Sequence, residues 1–228
     1  MERQKGKLIV IDGTDGSGKA TQTDMLIKRM RAAHLTVETV SFPRYDEPSS
    51  TLVRKYLAGE FGTASEVDPK IASTFYAVDR WAASEQIRGW LNDGANVVMD
   101  RFVASNMGHQ GGKFPNQGER LAFFRWLFDL EHGEFGIPKP DLNVILHVPT
   151  ERSDRLMDDR GRDRDIHESD PEHLRAAEQV YLEIAELFPD DFTLIECMRD
   201  GKLMSRGDIH SLVWVAASHL LLPERQPA

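Results

Sequence analysis

The sequence predicts an α/β protein in which a parallel β-sheet is covered by helices on both faces. Two observations predict it. Five short apolar runs alternate with segments of helical periodicity along the chain, an order that requires crossover connections between parallel strands. The first run, Leu8-Ile9-Val10-Ile11, is followed by the glycine-rich stretch Gly13-Thr14-Asp15-Gly16-Ser17-Gly18-Lys19-Ala20-Thr21, and then by a helical pattern with Leu26, Met30 and Ala33 on one face.

Strand, glycine-rich turn and helix are the context of a phosphate-binding loop. The glycines let successive backbone N–H groups point inward, the helix start adds partial positive charge, and Lys19 brings a full charge to the outer phosphates of ATP or GTP. The stretch matches G-x-x-x-x-G-K but lacks the usual Ser or Thr next. Ala20 stands where a magnesium-ligating hydroxyl is normally found, and Thr21 comes one residue late. A dinucleotide-binding fingerprint through Gly16-Ser17-Gly18 fails because Thr21 occupies the third glycine position.

With 228 residues, 40% apolar and 29% charged, the chain reads as a single globular domain over 1–228, with a flexible tail from 223. Its net charge of −9 argues against a general nucleic-acid binder, since backbone-phosphate affinity comes from massed Lys and Arg. Any phosphate site must be a local basic pocket. The single Cys197 excludes an internal disulfide and suits a reducing compartment. The apolar run near the start ends at Asp12, too soon for a signal-peptide core, and no stretch approaches the roughly 18 apolar residues of a membrane span. A cytoplasmic protein without a membrane partner is expected.

The remaining strand candidates are Thr36 to Ser41, Val97 to Asp100, Leu142 to Val148 and Phe192 to Cys197. Ligands of parallel sheets lie beyond the carboxyl ends of the strands. The loop Phe42-Pro43-Arg44-Tyr45 after the second strand is therefore expected to face the phosphate loop, with Arg44 offered to an anion. By itself an arginine in a Pro-rich loop is more often a solvated charge. The next helix is capped by Asp68 and opened by Pro69, and it carries Tyr76 and Arg80 four apart on one face. The third strand ends in Asp100-Arg101, a carboxylate able to hold magnesium beside a cation able to neutralise phosphoryl oxygens. Leu121 to His132 is apolar nearly all round, predicting a helix buried either in the core or against a second subunit, with Gly133 as its terminator. After the fourth strand, a segment at about 158–169 carries Arg160, Arg162 and Arg164, whose spacing of two suits a lid that aims cations at a triphosphate.

Rival chemistries fail on spacing. His167-Glu168 resembles half of a zinc-protease helix, but Pro171 intervenes before His173. Arginines occupy the positions a calcium loop needs, no GxSxG elbow exists, and Cys197 reads as packed rather than nucleophilic.

In order, GTDGSGKAT, FPRY, FYAVDRW, DRFVASNMGHQGG, IPKPDLNVILHV and a basic lid ending DIHE resemble thymidylate kinase across nearly the whole chain. The resemblance implies a P-loop nucleoside-monophosphate kinase fold, a five-stranded parallel sheet with helices on both faces and a short lid, usually as a homodimer. It implies transfer of the ATP γ-phosphoryl group to dTMP with magnesium. By the same resemblance Lys19 and the amides of residues 13–21 hold ATP, and Asp15 meets the sugar 3′-hydroxyl. Arg44 and Arg101 grip the acceptor phosphate, and Phe42 shapes the sugar pocket. Tyr76 stacks on thymine, Arg80 bonds its carbonyl, and Ser105, Asn106 and Gln110 line the base and deoxyribose. With Gly16 after Asp15, the loop resembles the kind that leaves the catalytic cation to the lid, here Arg160, Arg162 or Arg164. Without a hydroxyl at Ala20, magnesium falls to the phosphates, water and Asp100. The alternatives are a related kinase acting on another nucleoside or monophosphate, and a nucleotide-binding protein without transfer activity. A GTPase is disfavoured by the lack of an Asn-Lys-x-Asp motif.

Overall fold

The computed structural model describes residues 5–153, 166, 167 and 169–221. Arg160, Arg162 and Arg164, most of the expected lid, and the tail from 223 lie outside the described residues. The apolar runs become strands β1 (Leu8–Gly13), β2 (Val37–Ser41), β3 (Asn96–Asp100), β4 (Leu142–His147) and β5 (Phe192–Glu196). They pair in parallel in the order β2-β3-β1-β4-β5, with Leu8 opposite Val97 and Ile9 opposite Leu142.

Side chains alternate across a strand, so β1 feeds two cores. Leu8 and Val10 pack with Val97, Met99, Phe102, Phe124 and Tyr181, while Ile9 and Ile11 pack with Leu26, Met30, Leu146 and Val213 on the opposite face. The first face is covered by α3 (Pro69–Asn92), α4 (Val103–Gly111), α5 (Gln117–Phe128) and α6 (Pro171–Leu187). The second lies under α1 (Lys19–Ala32) and α7 (Arg206–Leu221). Between β2 and α3 runs the short helix α2 (Thr51–Leu57).

Local chemistry sets the helix starts. Asp68 accepts from the Lys70 and Ile71 amides, Asp170 accepts from the Glu172 and His173 amides, and a proline follows each cap. Helix α4 packs on α6 and α5 through bare backbone: a Cβ on Gly108 would lie 2.7 Å from the Tyr181 ring of α6, and one on Gly111 would lie 2.8 Å from Phe124 of α5 and 3.2 Å from Val180 of α6.

Two features depart from the sequence expectation. Within the chain, Leu121 to His132 meets the core along one face. Phe123, Phe124 and Leu127 are buried but Phe128 is 41% exposed, and instead of stopping at Gly133 the chain passes through a π-helical turn, Asp129–Glu134, and leaves by Gly136 at φ 59°. The wider turn carries Glu131 to full burial. After β5 a hairpin of β6 (Met198–Arg199) and β7 (Lys202–Leu203) appears, closed by Asp200-Gly201 at φ 50° and 70°. Asp-Gly with both residues at positive φ suits a two-residue turn, a signal readable in the sequence.

The carboxyl ends of β4 and β5 are joined by charge. His147, opposite Glu196, contacts Glu178 of α6 at 3.0 Å and Glu196 at 2.6 Å. The hydrogen bond to Glu178, against burial and with help from Glu196, raises the His147 pKa above the ordinary histidine range. A raised folded pKa adds stability that is complete below the unfolded value of about 6.5 and vanishes as pH climbs through the folded value. The urea midpoint of the wild type should therefore exceed that of His147→Gln most at pH 6, with the gap narrowing toward pH 9. A gap that stays constant or widens would exclude a charged His147.

Candidate active site

Three of the loop glycines hold positive φ: Gly13 at 138°, Gly16 at 79° and Gly18 at 89°. The first two are also pressed against neighbours. A Cβ on Gly13 would lie 2.3 Å from the Leu146 carbonyl oxygen and one on Gly16 2.6 Å from that of Ser153, whereas Gly18 faces open space. The loop is thus seated against β4 and the turn after it, with its open side at the start of α1. Inside it the Lys19 ammonium donates to the carbonyls of Gly13 at 3.0 Å and Thr14 at 2.8 Å. Burial, helped by the charge of Arg101, lowers Lys19 to about 8 against the opposing pull of Asp15, Asp100 and Asp12.

Strand β3 delivers the facing groups. Arg101 stands at φ 66°, a left-handed conformation that costs a non-glycine residue of order 1–3 kcal/mol and that clusters at functional sites. Its guanidinium meets the Asp15 carboxylate and reaches Ser105 Oγ at 3.2 Å. Burial works against the Asp15 charge, but Arg101 and Lys19 outweigh it and hold this carboxyl well below the usual range. The same carboxylates hold Arg101 firmly protonated despite burial. Lys19 lies 3.7 Å from Asp15, so one carboxylate is flanked by the loop lysine and the strand arginine.

Beneath them Asp12, fully buried, accepts from the amides of Gly13, Phe102 and Ser105 and from the hydroxyls of Ser105 and Tyr181. This carboxylate ties the loop, the start of α4 and α6 into one block. Asp100 Oδ1 is buried with no hydrogen-bond partner among the described residues, and burial, reinforced by Asp12 and Asp15, raises its pKa above the carboxylate norm. A hard, unengaged oxygen beside Lys19 is the donor type that magnesium takes.

Opposite the loop is a cleft of about 340 Å³ lined by Asp15, Lys19, Phe42, Tyr76, Arg80, Asp100, Arg101, Ser105, Asn106 and Gln110, along with Ala20 and Thr21. The four-residue spacing of Tyr76 and Arg80 does place both on the cleft wall. Arg80 is 2% exposed and its fork is held by Glu131 through two 2.6 Å contacts. Asn106 Nδ2 donates to Ser73 O at 3.1 Å, leaving Oδ1 without a partner among the described residues, and Gln110 Oε1 is likewise unengaged. Arg44 is absent from the lining, although its neighbours Pro43 and Tyr45 are part of it. Its side chain bonds Asp79 at 3.2 Å and Ser49 at 2.8 Å.

Glu131, Asp79, Asp12 and the histidines lining the cleft, His109 and His167, are parts that sequence reasoning did not assign. His109 Nε2 lies 3.8 Å from Asp15, and His173 stacks behind the pair. Burial lowers His109 to about 3 and His173 to about 4, and His167 falls well below the histidine norm, so these rings are neutral at physiological pH. Cys197 is buried and its thiol is pushed up to about 12 by burial, which fits a packed side chain.

A parallel α/β sheet whose first strand feeds a lysine-bearing glycine loop, with an arginine-lined cleft at the same carboxyl ends of the strands, defines a P-loop phosphotransferase of the nucleoside-monophosphate kinase class. The comparisons narrow the class. Residues 11–204 match the thymidylate kinase family model. The Mycobacterium tuberculosis thymidylate kinase is 34% identical over 184 residues, 78% of this chain and 85% of that protein. That of Pseudomonas putida is 28% identical over 208 residues, 91% and 95% respectively. The solved structure of Candida albicans thymidylate kinase superposes with a TM-score of 0.74 at 22% identity, covering 95% of this chain and 92% of that one, a likeness of fold. The chain belongs to the thymidylate kinase family, whose members phosphorylate dTMP with ATP as co-substrate.

Proposed function

We propose that residues 13–21 cradle the phosphates of ATP with Lys19 on the outer ones, and that dTMP lies in the cleft opposite. Supporting this reading above all is the flanking of Asp15 by Lys19 and Arg101, which puts donor and acceptor cations within reach of a shared centre. Arg101 takes the acceptor phosphate, assisted by Arg44 once released from Asp79, and Asp15 takes the sugar 3′-hydroxyl. Phe42 and Tyr76 enclose sugar and base, and Arg80, held in place by Glu131, donates to a thymine carbonyl. The open oxygen of Asn106 accepts from the base N–H, while Ser105 and Gln110 line the deoxyribose.

An oxygen of the dTMP phosphate attacks the γ-phosphorus as the bond to the β–γ bridging oxygen breaks, leaving ADP and dTDP. The protein's contribution is positioning and neutralisation of charge spread over the equatorial oxygens. Lys19, Arg101 and a lid arginine (Arg160, Arg162 or Arg164) supply that charge. Asp100, whose unengaged buried oxygen suits a hard cation, would hold magnesium directly or through water in place of a hydroxyl at Ala20. Bound magnesium would add positive charge to the β- and γ-phosphates.

The same reading includes a homodimer in the cytoplasm, with neither nucleic acid nor membrane as partner. In its support, Phe128 leaves an apolar surface on α5, the net charge is −9, and no described helix is long and apolar enough to cross a membrane.

Coupled ADP release measured across dTMP, dCMP, dAMP, dGMP and free thymidine tests the assignment. We expect kcat/KM for dTMP to exceed that for each other acceptor by about 100-fold or more, the scale on which unpaired buried polar groups reject a mismatched ligand. Equal rates across the monophosphates, or turnover of thymidine itself, would overturn the acceptor assignment. ATP binding without turnover would overturn the transfer.

A further inference from the structure

Among the described residues, one cluster of potential metal ligands stands outside the phosphotransfer roles. We propose that His109, His167 and His173 together bind a transition-metal cation of the zinc class, joining the turn at Ile166-His167 to helices α4 and α6. The site is separate from the magnesium that travels with ATP, because imidazole nitrogen suits zinc, cobalt, nickel or copper whereas magnesium prefers oxygen.

Geometry carries the proposal. One ring nitrogen from each histidine lies within 4.8 Å of those of the other two, and all three residues are buried or line the cleft wall. His109 Nδ1 and His173 Nε2 are 3.2 Å apart, a hydrogen bond that the metal would replace. Two nitrogens bound to a tetrahedral zinc at about 2.0–2.1 Å are separated by roughly 3.3–3.4 Å, so this pair already spans one edge of the coordination tetrahedron. The His167 ring stacks at 4.2 Å on His173 and 5.4 Å from His109, and a rotation of its side chain supplies the third corner.

The surroundings agree. With Nδ1 given to the metal, His109 turns Nε2 toward the Asp15 carboxylate, 3.8 Å away, in the carboxylate–histidine–metal order that orients such ligands. Lys113 opposes a cation here, but its ammonium is turned to Tyr56 Oη at 3.1 Å and Val67 O at 3.3 Å, and Asp15 and Asp170 offset its charge. Three protein ligands leave a fourth corner for water, on the side where His109 and His167 line the cleft. Such an ion would pin His167 against the wall of the cleft.

The test uses the full chain, stripped with chelator and free of nucleotide, titrated with Co2+ and read by visible absorption. We expect a four-coordinate cobalt band saturating at one equivalent, bleached by Zn2+ and untouched by millimolar Mg2+. His167→Ala and His173→Ala should each weaken it by about 100-fold or more. A second measurement needs no variant: after Zn2+ loading and gel filtration, elemental analysis should find one zinc per chain. Absence of the band, only the weak band of six-coordinate cobalt, sub-stoichiometric zinc, or a band unchanged in both variants would each overturn the site. Because nucleotide is left out, none of these outcomes bears on the kinase assignment.

Discussion

Lys19→Ala should lower kcat for dTMP phosphorylation by about 10³-fold, the upper range for losing one preorganised group that meets developing charge. The lysine is a poor candidate for a stabilising residue. It is 6% exposed, its ammonium is satisfied by two loop carbonyls, and burial lowers its pKa to about 8. A lysine whose folded pKa is depressed works against folding below its unfolded value of about 10.4, and that cost fades as pH rises past the folded value. Its removal should leave the urea midpoint at neutral pH unchanged or higher, since Asp15 keeps Arg101. The wild type adds an independent check. Transfer needs the protonated amine, so kcat/KM for ATP should fall as pH rises above about 8, and the variant's residual activity should lack that limb. A variant that keeps wild-type turnover would remove Lys19 from the mechanism.

Glu131→Ala should be the most destabilising single change at the site, by about 3–5 kcal/mol, because it strands a buried arginine without its counter-charge. Glu131 is fully buried and Arg80 2% exposed, they share two 2.6 Å contacts, and Asn106 Nδ2 leans on the same carboxylate at 3.4 Å. The loss is read from urea unfolding. Function should fail in a characteristic way: freed from its clamp, Arg80 no longer presents a fixed donor, so KM for dTMP rises while kcat and KM for ATP change less. Arg80→Ala should raise the dTMP KM similarly. Unchanged dTMP affinity in a folded Glu131→Gln protein would show that the pair supports the core without orienting the acceptor.

These two residues mark how far the chain could be read in advance. Lys19 was legible because everything that defines it is local: an apolar run short enough for a strand, glycines that permit positive φ, and a helical period that begins at once. Tyr76 and Arg80 were legible as a pair because four residues make one helical turn, whatever surrounds the helix. The cap at Asp68 belongs to the same category.

Glu131 was not legible. It lies 51 residues from Arg80, in a stretch whose apolar pattern predicted an ordinary buried helix ending at Gly133. The π-helical turn that carries it inward leaves no mark in a 3.6-residue period. Arg44 illustrates the reverse. It was readable as a cation near a ligand crevice, yet only the fold shows it held by Asp79. The three histidines stand at 109, 167 and 173, in no spacing a motif would catch; His109 and His173 meet because α4 packs on α6 through Gly108, and the turn before α6 adds His167.

The amino-acid order by itself determined the five strands of the parallel sheet, the phosphate loop and the kind of molecule it receives, since periodicity and turn chemistry act over a few residues and survive without tertiary context. Only the folded chain decided which carboxylate each arginine meets, that Asp12 joins loop to helices, and that three imidazoles share one buried corner. Those contacts are made between elements far apart in sequence, and their partners are chosen by how whole helices pack on the sheet.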